Sequence, residues 1–206
     1  MALTNAPARS NVNENWLFDF TADNDNCLEF TASDNDNINF GNILSTPFVN
    51  FTIEFWCNAD VINSGVVIQL SASGEDEDEN VSFSVSLQTG GEFQLFYEYG
   101  TGSNESNTTS DFVLSADTWT HVAVVRDDST GEAYFYKNGA LVETESASND
   151  PTGGTSADAD LTIGNNFNNN NGYDGELAQV RVWNTARTAV DISHYSNRLV
   201  DSSHSG

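Results

Sequence analysis

The chain has 206 residues, of which 38% are hydrophobic and 11% aromatic: enough for a packed core, and too apolar for a disordered acidic tail. Its 31 acidic against 6 basic residues give a net charge of −25. That balance excludes nucleic acid and anionic membrane surfaces as partners, because both demand a cationic face. No apolar run approaches the roughly 20 residues of a membrane helix, so membrane insertion is excluded, and no signal peptide is legible at the N-terminus.

The acid surplus leaves two readings open. One is adaptation to saline or calcium-rich water, where screening makes self-repulsion tolerable. The other is a set of carboxylates converging on Ca2+. Two cysteines, Cys27 and Cys57, are too few to define a disulfide framework, and whether they pair stays open.

Residues 1–26 read as an N-terminal arm or first edge segment, and 27–206 as a single domain. Cys27 to Phe30 alternates, Ser33 to Asn37 (SDNDN) is a turn, and Ile38 to Phe40 is a short strand. Phe51 to Cys57 alternates strictly, with Phe51, Ile53, Phe55 and Cys57 on one face and Thr52, Glu54 and Trp56 on the other. Gly65 to Ala72 is a strand, followed by the acidic run Gly74 to Asn80 (GEDEDEN). Val81 to Leu87 (VSFSVSL) places Val81, Phe83, Val85 and Leu87 inward, Gly90-Gly91 turns the chain, and Glu92 to Tyr99 returns. Gly100 to Asp111 reads as a polar loop. Trp119 to Arg126, Glu132 to Tyr136 and Leu141 to Glu145 form an antiparallel meander; its Asn138-Gly139 pair predicts a type I′ turn, since both residues accept positive φ. Asn165 to Gly172 (NNFNNNNG) suits no regular element. Leu177 to Trp183 is a last strand, with Leu177, Gln179, Arg181 and Trp183 on one face. Helical spacing at Val190, Ile192, Tyr195 and Leu199 predicts one short C-terminal helix. Many short strands with turn signals at this spacing predict an all-β antiparallel two-sheet sandwich or jelly roll.

Five stretches in order, NFTIEFW, ADTWTHVAVVRD, AYFYKNGALV, LTIGNN and GYDGELAQVRVWNTART, resemble the laminin-G-like members of the concanavalin A-like superfamily, which include the pentraxins. The similarity spans roughly Cys27 to Leu199. It implies a concanavalin A-like jelly-roll β-sandwich that binds glycans or proteins outside cells, often with Ca2+ at one rim.

Calcium takes six to eight oxygens from carboxylates, amides, carbonyls and water. The pentraxin pattern, laid on this chain, pairs Glu79-Asn80 with the loop Asn165 to Asn168. The implied metal set is Asp76, Asp78, Glu79, Asn80, Asn166 and Asn168. The family's second loop is acidic where this one carries Asn, so charge must come from the first. A second metal candidate joins Asp34 and Asp36 to Asp174, because the first and last strands of a jelly roll pair; the competing reading has these side chains cap their own turns. Tyr173, set in a polar rim loop, and Tyr99 are the candidate exposed platforms for sugar rings, with Asn170 and Asn171 as hydroxyl partners.

Catalysis has no comparable signature. Glu75 to Glu79 lacks the apolar spacers that project a catalytic carboxylate pair across a cleft, and His121, His194 and His204 have no metal spacing. The leading expectation is a non-enzymatic, extracellular or cell-surface module that recognises a glycan or surface polymer with the help of Ca2+. The alternative is a self-assembling surface or structural subunit, a homo-oligomer with calcium-bridged acidic faces. A polysaccharide-cleaving enzyme is the third.

Overall fold

The computed structural model describes residues 16–17, 27–44, 49–72, 81–99, 103–151 and 159–196. Within them run β1 (Trp16–Leu17), β2 (Leu28–Phe30), β3 (Ile38–Asn39), β4 (Phe51–Ala59), β5 (Gly65–Ala72), β6 (Val81–Leu87), β7 (Phe93–Glu98), β8 (Asn104–Thr108), β9 (Thr120–Asp127), β10 (Glu132–Lys137), β11 (Ala140–Ser146), β12 (Ala159–Ile163), β13 (Gly175–Trp183) and α1 (Ala189–Tyr195). Among the described residues they form two sheets. One has seven strands in the order β1-β13-β4-β9-β10-β11, with β2 also on β13. The other has six, in the order β3-β12-β5-β6-β7-β8. Every strand-to-strand pairing is antiparallel. This is the two-sheet jelly-roll sandwich expected from the sequence.

Alternation builds the core. Phe51, Ile53, Phe55 and Cys57 of β4 are fully buried between the sheets, as are Phe83, Val85 and Leu87 of β6. Phe51 meets Phe83 with ring centroids 5.6 Å apart, and Phe55 meets Phe93 edge-on at 5.8 Å. Each such side chain contributes about 1.5–3 kcal/mol by leaving water. The hairpin tip has Asn138 at φ 51° and Gly139 at φ 79°, the two positive values of a type I′ turn.

Three elements depart from the sequence reading. In β13, Gln179 adopts φ 49° and the register with β4 slips between Ala178 and Arg181. This bulge resets the alternation: Leu177 joins Val180 and Val182 in the core, whereas simple alternation put Leu177 with Gln179, Arg181 and Trp183. The expected polar loop at 100–111 contains a strand, β8, on the free edge of the six-stranded sheet. Its polar sequence hid it, because Asn104, Ser106 and Thr108 face solvent and only Asn107 is buried. The helix is capped by a reciprocal Thr188–Asp191 box, but only Ile192 is buried and Val190 is 77% exposed. An early strand meets the last one where Phe30 of β2 pairs with Gly175 of β13. Gly175 has φ 136°, and a Cβ there would collide with the Asn58 carbonyl.

Candidate functional site

The outer faces of the two sheets differ in kind. On the seven-stranded sheet, alternation sends Thr52, Glu54, Trp56, His121, Arg181 and Trp183 outward, and the segment after β13 lies across them. Thr52 Oγ1 donates to the Thr185 carbonyl at 2.8 Å and accepts the Arg187 N–H at 3.0 Å. The Arg187 guanidinium stacks over Trp183 at 4.0 Å and Tyr195 at 4.8 Å. Beneath it the fully buried Glu54 carboxylate faces His121 Nε2 at 3.5 Å, Arg181 at 3.6 Å and Arg187 at 3.5 Å. Ala123, Val125, Tyr136 and Ile192 close a small second core beside this network. The protein's own C-terminal segment thus occupies this face.

The outer face of the six-stranded sheet is polar. Register aligns one row across all six strands: Asn39, Thr162, Gln69, Ser84, Phe96 and Ser106. At a strand spacing of about 4.8 Å the row runs roughly 24 Å. Ser82, Ser84 and Ser86 of the central strand β6 are only 5–6% exposed and form the floor. Phe96 and Gln94 on β7 are more open, and Ser106 and Thr108 on β8 are exposed. The amides are pre-set by neighbours: Gln94 Nε2 donates to Ser106 Oγ at 2.9 Å and Thr108 Oγ1 at 3.1 Å, and Gln88 Nε2 to Ser86 Oγ at 2.9 Å. A file of hydroxyls and amides around one aromatic ring can bond sugar hydroxyls and carry a ring face.

The asparagine loop stands beside this face, tied to it where Phe167 N–H donates to Gln69 Oε1 at 2.9 Å. Inside the loop, Asn165 Oδ1 accepts the N–H groups of Asn166 and Asn171, and Asn166 Oδ1 accepts that of Asn170. Asn170 Oδ1 in turn accepts from Asn166 Nδ2 at 2.6 Å. Asn166 is 2% exposed, while Asn168 and Asn170 are exposed and Asn171 half-buried. Asn166 Oδ1 is thus engaged in the turn itself, whereas Asn168 stands exposed on the loop. Asp76, Asp78, Glu79 and Asn80 lie outside the described residues.

For the second set, β2 and β13 do pair, yet Asp34, Asp36 and Asp174 do not assemble. Among the described residues no three His, Cys, Asp or Glu side chains are arranged to hold a metal ion. Asp36 Oδ2 instead accepts the Thr31 N–H at 3.2 Å, a local turn bond, and Asn37 Nδ2 reaches Asn169 Oδ1 at 2.6 Å. Asp174 belongs to the end where Asp60 N–H donates to its carbonyl. There burial, then the charges of Asp174, Glu176 and Asp117, push the Asp60 carboxyl above its ordinary range.

Tyr173 is a correction. It is 1% exposed, inside the core, with its hydroxyl near the Glu176 carbonyl at 3.5 Å. Its polar neighbours in sequence suggested a rim position, but the loop closes back onto β5 through Val66 N–H to Asn171 O at 2.9 Å and carries the ring inward. Tyr99 is half-buried at the end of β7, where its N–H donates to the Ser103 carbonyl. The sequence reading missed the serine row. The signal was present, since every outward residue of VSFSVSL is serine.

Two packed antiparallel sheets, one outer face covered by a C-terminal segment and the other lined by polar side chains, define a jelly-roll lectin-like architecture. The Laminin_G_3 family model, described as the concanavalin A-like lectin/glucanases superfamily, matches residues 31–193, and the chain belongs to this family. No curated protein matches the sequence. Among solved structures it is similar to a native heptameric SAP-like pentraxin from Limulus polyphemus, at 20% identity and TM-score 0.57 over 78% of this chain and 75% of that one. It is also similar to the CBM40 of the Ruminococcus gnavus IT-sialidase bound to alpha2,3 sialyllactose, at 11% identity and TM-score 0.66 over 83% and 96%. A third is the NanB sialidase from Streptococcus pneumoniae, at 18% identity and TM-score 0.64 over 81% of this chain but 27% of that one. At these identities the likeness is one of fold. Among the described residues no helix is long and apolar enough to cross a membrane.

Proposed function

We propose that the protein is a non-catalytic, extracellular or cell-surface module that binds a glycan across the outer face of its six-stranded sheet. The observation that carries this reading is the row Asn39–Thr162–Gln69–Ser84–Phe96–Ser106, five polar side chains and one ring aligned by register, with Thr162, Gln69 and Ser84 buried as its base and Asn39, Phe96 and Ser106 accessible. The carbohydrate-binding module and the pentraxin among its structural neighbours support it. Calcium belongs to the proposal at the acidic run, where Asp76, Asp78, Glu79 and Asn80 immediately precede β6 and supply the hard oxygens the ion prefers.

The test is a glycan array followed by titration calorimetry on the glycans that bind. Phe96→Ala and Gln94→Ala, each checked for an unchanged thermal melt, should weaken binding about three- to tenfold, the worth of a lost ring contact or hydrogen bond. Unchanged affinity in both would sink this placement. A mass that grows with concentration and calcium, without glycan binding, would favour the self-assembling subunit instead.

A further inference from the structure

Resting on that reading, we infer that the ligand is an uncharged glycan chain, and that the face rejects sialylated, sulfated and uronic-acid glycans. The reason lies in where the cations are. The sequence holds six: Arg9, Arg126, Lys137, Arg181, Arg187 and Arg198. Four are among the described residues, and each is engaged elsewhere. Arg126 is fully buried and donates to the Val49, Ala147 and Asn149 carbonyls and to Asp150. Lys137 Nζ donates to the Val113 carbonyl at 2.7 Å and lies 5.6 Å from the Phe112 ring centre. Arg181 and Arg187 are bound to Glu54 on the opposite sheet. His121 is buried in that same network, and His194 is on α1.

The candidate face carries the reverse charge. Asp160, beside Thr162 on β12, holds Asn39 Nδ2 at 3.0 Å, and Glu98, next after Phe96 on that side of β7, accepts the Val81 N–H at 3.2 Å. A carboxylate or sulfate ligand laid along the row would meet these acids with no described guanidinium or ammonium group to pair with. It would also approach a molecule of net charge −25. Removing an anion from water without a partner is costly, whereas a sugar hydroxyl can exchange water for the accessible Asn39, Gln94, Ser106 and Thr108 groups. The row's extent of roughly 24 Å suits a run of sugar rings rather than one. This sets the chain apart from its neighbour of similar fold, which was solved with a sialylated ligand.

The experiment is an array of neutral, sialylated, sulfated and uronic-acid glycans at about 0.15 M salt, run in chelator and again with calcium. Calorimetry follows with the best neutral binder, with α2,3-sialyllactose and with alginate. The expected result is that neutral chains bind at least tenfold tighter than any acidic glycan in both conditions. The Arg9→Ala/Arg198→Ala double variant should bind them unchanged. Acidic glycans binding as well as neutral ones, with or without calcium, would overturn the inference and leave the binding module intact. So would loss of binding in the double variant. Binding to no glycan at all would overturn the module itself.

Discussion

Glu54 and His121, on adjacent strands of the seven-stranded sheet, meet at 3.5 Å with both side chains fully buried on a face that points away from the main core. Burial of a carboxylate there is tolerable because Arg181 and Arg187 converge on the same group and the C-terminal segment seals it from water. The outermost part of the chain is thereby fastened to a central strand.

That arrangement makes Glu54→Ala strongly destabilising. Removing one partner from a buried ion network leaves the rest uncompensated and costs roughly 3–5 kcal/mol. Urea denaturation of the variant should show this loss. A cost below about 1 kcal/mol would mean that the C-terminal segment is not held through Glu54.

Glu143 gives a pH signature. Burial works to raise its carboxyl, but the N–H groups of Asp111 and Ser110 and the Ser110 hydroxyl outweigh that and hold it below the ordinary 4.5. A carboxyl lowered in the folded state adds stability that is complete above its unfolded value. That stability is lost as pH falls through the lower folded value. Glu143→Gln should therefore be less stable than the parent at pH 7, by under about 1 kcal/mol because the clasp is open to solvent. The gap should narrow as pH falls below 4.5 and close once the carboxyl is protonated in both states. Melts of the two proteins from pH 2 to 8 would check this, and a gap that persists at the acid end would contradict it.

The cysteines are free in the fold: Cys57 is buried and Cys27 half-buried. Burial pushes both thiols up, and Cys57 Sγ donates to the Thr120 carbonyl at 3.6 Å. Mass spectrometry after maleimide treatment should count one labelled thiol in the native protein and two in denaturant. Labelling of neither in denaturant would reveal a disulfide.

Calcium is tested by thermal melts in chelator, in millimolar calcium and in matched magnesium. A site of the strength usual for extracellular modules, at ten times its dissociation constant, adds about 1.4 kcal/mol. For a chain of this size that is a rise of roughly 3–5 °C. The rise should be specific to calcium and absent in Asp78→Asn/Glu79→Gln. An equal response to both ions would mean screening of the net charge and no site.

Much of the sandwich was legible because each strand's period of two records which face is buried. Phe51, Ile53, Phe55 and Cys57, or Phe83, Val85 and Leu87, need no partner to declare their side. The type I′ turn was equally local, since Asn138-Gly139 tolerates the required φ by itself. The bulge at Gln179 was not legible, because a single residue in the left-handed region leaves no trace in the hydrophobic pattern. Nor was β8, whose strand character comes from pairing with β7 rather than from its own side chains.

By itself, then, the sequence determined the fold class, the core and the scarcity of cations, all of which follow from composition and short-range periodicity. Only the tertiary structure decided which polar residues stand together. It drew Tyr173 into the core, bound the Asn165 and Asn166 side-chain oxygens to their own turn, and gathered Glu54, His121, Arg181 and Arg187 under the C-terminal segment. It also lined up Asn39, Thr162, Gln69, Ser84, Phe96 and Ser106 from six separate strands. Strand register sets such neighbours over long sequence separations, and the packing of the whole sandwich fixes register.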